Sequence, residues 1–229
     1  MSIPEQIGGM PLAQFVDISA RMVGLQTAEQ CYEVVRQVGV QQSFWETANV
    51  GWTQELAQNP EAVKRHRALL IEALRKHSGV AKPMTLDEYV DVNADFKTGV
   101  PPADALQRRS HNMQSFSASS YEWMDRFEAS PWLKCYFDLR VHKAVAQKSG
   151  QADRNFGATY GPGDMVRSRR CYNCGAIKVT KPTTAYVYCD YCATLFDYDS
   201  WIAVEDPASL DPDMVDEHLN KVTNDQLNR

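Results

Sequence analysis

Four cysteines carry the clearest chemistry in this chain. Cys171 and Cys174, then Cys189 and Cys192, form two Cys-x-x-Cys pairs with fourteen residues between them. Four thiolates at that spacing can close a tetrahedral shell around one zinc ion, provided the intervening chain folds the pairs together. The pairs sit in turn-like contexts, Arg170-Cys171-Tyr172-Asn173-Cys174-Gly175 and Tyr188-Cys189-Asp190-Tyr191-Cys192-Ala193. Gly175 stands where a tight turn demands a positive φ, which glycine adopts without steric cost. Between the pairs, Ile177 and Val179, then Tyr186 and Tyr188, lie on two short β-prone runs, with Lys181-Pro182-Thr183 as the turn of a hairpin. A closed four-cysteine shell leaves no open coordination position, so the expected zinc, one per chain, is structural and not catalytic.

This succession of knuckle, hairpin and knuckle, from Arg169 to Trp201, resembles a zinc ribbon. Other uses of Cys-x-x-Cys fit less well. A thioredoxin-like motif places one pair at the start of a helix after a strand, and a second pair has no place in that scheme. Disulfides require an oxidising compartment. The start of the chain, Met1-Ser2-Ile3-Pro4-Glu5-Gln6, has neither the basic region nor the apolar run of a secretory signal. No apolar stretch approaches a membrane span. These features point to the cytoplasm, where thiols stay reduced and open to metal. An iron site of rubredoxin type uses the same four thiolates and stays open at this point.

The first two thirds of the chain repeat. Met10, Leu12, Phe15, Val16 and Asp17 match Met84, Leu86, Tyr89, Val90 and Asp91 at an offset of 74 residues. Trp45, Trp52, Leu56 and Pro60 match Phe116, Trp123, Phe127 and Pro131 at an offset of 71. A deletion near Thr98 to Pro102 reconciles the two offsets. Apolar residues recur at the spacing of one helix face in each copy. Capping boxes are expected at Thr85 with Glu88, Ser43 with Glu46, and Ser119 with Glu122. Asn59-Pro60 and Ser130-Pro131 read as helix starts, and Gly79 and Gly150 as stops. The expected fold is therefore mainly α with a small β zinc ribbon: helical modules over 10–79 and 84–150, a linker over 151–168, the ribbon over 169–204 and an acidic tail with a short helix over 205–229. Trp-x6-Trp units, here Trp45 and Trp52, ahead of a Cys-x-x-Cys ribbon resemble an uncharacterised bacterial family, and that resemblance brings no activity with it.

The tryptophans read as a core stripe and not as a recognition cage. Asp17, Asp87, Glu88, Asp91 and Asp95 read as a solvated helix surface, and Cys31 and Cys135 as small core residues. His66, His77, His111, His142 and His218 fall in no catalytic or metal-ligating pattern. Gly157, Gly161 and Gly163 lack the lysine and the strand–helix setting of a phosphate loop.

Charge is unevenly spread. The net charge is −5, yet 134–181 holds ten basic against three acidic residues, and 187–229 two against ten. The basic cluster around the cysteines offsets a zinc tetrathiolate or forms a contact surface. On the second reading Arg167, Arg169, Arg170, Tyr172, Lys178, Lys181 and Tyr191 are the candidate contact residues. Three functions follow. The first is a non-catalytic adaptor whose ribbon binds a protein partner. The second is a nucleic-acid binder that uses basic side chains and ribbon aromatics, against which stands a pI of 5.6. The third is an enzyme with a site assembled between the helical modules.

Overall fold

The computed structural model describes residues 2–150, 167–180, 185–189, 191–192, 194–197, 204 and 206–210. The fold is mainly helical, with two small antiparallel strand pairs after the helices. Among the described residues the helices are α1 (Leu12–Met22), α2 (Ala28–Gln37), α3 (Gln42–Gln58), α4 (Pro60–Ser78), α5 (Leu86–Lys97), α6 (Pro102–Gln107), α7 (Met113–Ala129) and α8 (Pro131–Lys148). The starts of α1 and α5, and of α2 and α6, lie 74 residues apart, and those of α3 and α7, and of α4 and α8, lie 71 apart. These are the offsets of the sequence repeat. No helix among the described residues is long and apolar enough to cross a membrane.

Matching bonds recur at matching positions. The Trp52 indole N–H donates to the Met10 carbonyl at 3.0 Å, and that of Trp123 to the Met84 carbonyl at 3.1 Å. Ser19 donates to the Phe15 carbonyl, as Asn93 does to Tyr89. Asp17 pairs with His77 at 2.8 Å, as Asp91 does with Lys148 at 2.6 Å.

Compact packing follows other boundaries. One unit comprises Met1–Glu88 and Pro101–Met124, and the other Tyr89–Val100 and Asp125–Arg229. In the first unit, Phe15 of α1 stacks on Trp45 at 5.3 Å and on Trp52 at 6.4 Å. Val35, Ala48, Leu70, Leu74 and Ala118 belong to the same core, with Met10, Leu12, Val16, Ile18, Ala20 and Ala73. Gly51 lets the N-terminal segment close on α3, since a Cβ there would collide with Ile7 Cγ2. The second repeat lends α6 and the first part of α7 to this unit: Gln114 donates to the Val23 carbonyl and Asn112 to the Ser78 carbonyl. In the second unit Tyr89 stacks on Phe137 at 5.2 Å, and Leu133, Tyr136 and Leu139 are buried.

Helix starts divide by whether the side chain meets a free amide. Thr85 and Glu88 form the expected box, and Asn59 caps α4 through the amides of Glu61 and Ala62. Two expected boxes do not form. Ser43 already lies inside α3, whose cap position is Gln41, and Glu46 instead accepts from Tyr32 and Gln42. Ser119 sits mid-α7, where its hydroxyl accepts the Met84 amide. The reciprocal pair at the start of α7 is Asn112 with Ser115, and Thr27 with Gln30 forms a further box on α2. Nor are all the acidic positions solvated: Asp95 is buried and bonded to Lys148 at 2.6 Å, because α8 brings a cation to it.

Asp17 is the electrostatic centre of the first unit. Burial raises its pKa, but His77, Arg21 and Lys76 outweigh that and draw it from 3.8 down to about 2. A depressed carboxyl stabilises the fold above its unfolded pKa and loses that contribution as pH falls through the folded value. We therefore expect Asp17→Asn to cost on the order of 1 kcal/mol at neutral pH, the scale for a part-exposed ion pair. Between 3.8 and about 2 the gap to the native protein should close. Urea denaturation across that range is the check, and a constant difference would contradict it.

Candidate metal centre

The four-cysteine lobe belongs to the second unit. Its strands are β1 (Arg167–Arg170), β2 (Ile177–Thr180), β3 (Tyr186–Tyr188) and β4 (Leu195–Asp197). The expected hairpin paired the second strand with the third. Instead β1 pairs with β2 in the register Arg170 with Ile177, and β3 with β4 in the register Tyr188 with Leu195. Each Cys-x-x-Cys turn is itself the chain reversal, so the flanks of one knuckle meet each other. Arg167 and Ser168, at the end of the expected linker, accordingly belong to β1. The rest of that linker, the turn at Lys181-Pro182-Thr183 and the tail from 211 onward lie outside the described residues.

The two knuckles are built alike from backbone. The Cys171 amide donates to the Ala176 carbonyl at 2.7 Å, and the Cys189 amide to the Thr194 carbonyl at 2.9 Å. Gly175 takes the expected positive φ, 77°, and its amide donates to the Cys171 carbonyl. Amides of Asn173 and Cys174 point at the Cys171 sulfur, and those of Tyr191 and Cys192 at the Cys189 sulfur. This concentration of N–H groups on sulfur favours thiolates, the form that binds metal. A tie between the knuckles, Asn173 Nδ2 donating to Thr194 Oγ1 at 3.0 Å, sets their separation.

The four sulfurs converge. All lie within 4.8 Å of one another, with Cys171–Cys192 at 3.7 Å and Cys174–Cys189 at 3.4 Å. A tetrahedron with zinc–sulfur bonds of about 2.3 Å requires edges of about 3.8 Å. The arrangement thus fits a four-thiolate metal ion such as zinc. No sulfur–sulfur bond joins the four. Burial pushes the thiols of Cys171, Cys174 and Cys189 up. It acts in the same sense on Cys192, but the Thr194 hydroxyl and amide, Asn173 and Cys174 outweigh it and draw that thiol down to about 6. Among the described residues this is the one cluster of histidine, cysteine or carboxylate side chains within ligating distance.

The other candidate residues separate by exposure. Tyr172 is 48% and Tyr191 50% exposed, and so is Ile177 at 58%, a residue not anticipated as a contact. Arg170 is exposed and reaches the Gly175 carbonyl at 3.4 Å, and Arg169 is half-buried. Arg167 has a described backbone only, and Lys181 is outside the described residues. Lys178 departs from the expectation of a surface contact: it is 2% exposed, with its Nζ 4.0 Å over the Tyr188 ring. Its cross-strand partner is Arg169, so both occupy the same face of the β1–β2 pair. Cys31 is half-buried, and the side chain of Cys135 lies outside the description.

Two groups that touch the knuckles were not anticipated from the sequence. Thr194 could have been found, because it follows Cys192 at the spacing at which Ala176 follows Cys174. Lys143, which donates to the Cys189 carbonyl at 3.4 Å, comes from α8 and gave no local signal. No protein-family model matches this chain, and no curated protein and no solved structure shows significant similarity to it.

Proposed function

We propose that this chain is a zinc-bearing interaction protein. Cys171, Cys174, Cys189 and Cys192 hold one structural zinc ion, and the ribbon they fold binds a protein partner. The observation that carries the reading is the exposure of Tyr172, Ile177 and Tyr191 on the four-cysteine lobe, where Tyr188 and Phe196 are fully buried. The lobe's small core is satisfied by the latter pair together with Val187 and two of the cysteines. Tyr172 meets Phe196 edge-on at 5.6 Å and still keeps about half of its surface exposed, as Tyr191 does, and half-exposed rings beside such a core are the usual anchors of a protein interface. The helical repeats supply the body of an adaptor, and the reading requires a compartment that keeps thiols reduced, such as the cytoplasm.

Burial of Lys178 withdraws one cation from a phosphate-tracking surface, which favours a protein over a nucleic acid. The test is crosslinking capture of partners by native protein and by a Tyr172→Ser/Tyr191→Ser variant that keeps its metal. Removing two anchors should weaken binding at least roughly tenfold, on the scale of interface hot spots. Unchanged capture would count against this surface. Micromolar binding of single-stranded DNA or RNA at physiological salt would hand the function to the nucleic-acid reading.

A further inference from the structure

The four cysteines of the cluster are not equivalent toward solvent. Cys171 and Cys189 are buried, Cys192 is half-buried and Cys174 is exposed. A small solute arriving through water therefore meets Cys174 first. The closest sulfur–sulfur approaches have a pattern of their own. Cys174 lies 3.4 Å from Cys189, and Cys171 lies 3.7 Å from Cys192. Both approaches run from one knuckle to the other, so each close pair joins a buried sulfur to a more open one. A disulfide bond needs a sulfur separation of about 2.05 Å, and the exposed Cys174 begins short of it by little more than an ångström. Oxidation of a cysteine follows its thiolate character and its access to solvent, and it is reversible where a second cysteine stands ready to condense with the sulfenic acid. Zinc ligation supplies the thiolate, because the metal binds sulfur in that form.

We infer that Cys174 is a peroxide-sensitive ligand of the metal centre and Cys189 its resolving partner, so that oxidation exchanges the zinc ion for a disulfide between the knuckles. The inference rests on the four-cysteine zinc reading proposed above. In the first step the Cys174 thiolate attacks one oxygen of a hydroperoxide such as hydrogen peroxide. The O–O bond breaks, the sulfur is oxidised to a sulfenic acid and hydroxide leaves. In the second step the Cys189 thiolate attacks the Cys174 sulfur, the S–O bond breaks, a second hydroxide leaves and the S–S bond forms. The two hydroxides take up two protons and depart as water. One peroxide is thus reduced while two thiolates are oxidised. Two of the four ligands are then spent, and the shell no longer holds its ion. Tyr172 and Tyr191, the anchors of the proposed interface, stand inside the two Cys-x-x-Cys turns. Loss of the metal therefore dissolves the surface they form, and a thiol reductant restores it.

The experiment titrates hydrogen peroxide into zinc-loaded, full-length protein and follows released metal with a chromogenic chelator. A dione that traps sulfenic acids, with peptide mapping, locates the first oxidised sulfur. Native protein is expected to release about one zinc per chain, the content of a closed four-ligand site. The first label should fall on Cys174, the disulfide should join Cys174 to Cys189, and reductant with added zinc should refill the site. Cys174→His keeps four ligands, since a Cys3His shell also holds zinc, and it should retain its metal through the dose that empties the native site. Cys192→His retains both reacting sulfurs and should empty as native does. The inference is overturned if native protein keeps its zinc, if another of the four sulfurs is labelled first, or if Cys174→His empties as readily as native. Should Cys174→His fail to load, labelling and disulfide mapping of the native protein decide the question without it. Native protein purified under reducing conditions without any metal would instead overturn the zinc reading itself.

Discussion

Purified protein should contain about one zinc per chain, and Cys189→Ser should contain none. Cys189 is buried, lies 3.4 Å from the sulfur of Cys174, and receives two backbone amides. A serine hydroxyl there neither ionises at neutral pH nor bonds zinc as a thiolate does, so the shell drops to three ligands. Structural zinc contributes about 10–16 kcal/mol of apparent binding energy in small zinc-finger peptides. The ribbon has no comparable reserve. Among its described residues the buried apolar side chains are Cys171, Val187, Tyr188, Cys189, Leu195 and Phe196, two of them from the four-cysteine cluster, and units of this size rarely fold on a core alone. Strand structure should therefore be lost. The core of the first unit contains no ribbon residue and should persist, so the helical circular-dichroism signal should largely survive while zinc content falls to zero. Iron in the native site, a disulfide within either pair, or a variant that still holds a full equivalent of zinc would refute the centre.

Trp52→Ala should be the most damaging single change in the helical part. The side chain is 0% exposed, packs against Phe15, and gives its N–H to the Met10 carbonyl. Truncation removes a large aromatic from a close-packed site at about 3–5 kcal/mol. It also strands a buried carbonyl, a loss of about 1–3 kcal/mol on its own. Trp52→Phe separates the two contributions, since it keeps a ring and removes only the donor and some volume. Denaturant midpoints of the three proteins would measure this, and a truncation cost under about 1 kcal/mol would contradict a buried role. Trp123→Ala should behave similarly, because its indole makes the matching bond to Met84.

The four-cysteine cluster was legible in the sequence because each half of it is local. A Cys-x-x-Cys turn aims the amides two and three residues on at its own first sulfur, so spacing alone announces the geometry, and Gly175 marks where the turn needs a positive φ. The helices were legible for a related reason. A 3.6-residue period and a twofold repeat place apolar faces and turns without reference to distant chain. Strand pairing was not, because β-prone runs do not say which neighbour they meet; the knuckles, acting as reversals, decided it. Ser119 looked like a cap because its spacing to Glu122 is right, and only the approach of Met84 shows that the hydroxyl serves another segment. Lys178 looked like a surface cation, but it is buried with its ammonium over the Tyr188 ring of the other strand pair, which no local pattern announces. Lys143 left no local mark at all: it is 46 residues from Cys189, whose carbonyl it reaches only because α8 and the ribbon fold into the same unit. The sequence by itself determined the four-cysteine cluster and the helical repeat, which arise from bonds a few residues long. Tertiary structure decided which side chains around the cysteines are buried and which stay exposed, because burial is set by segments that meet only when the chain folds.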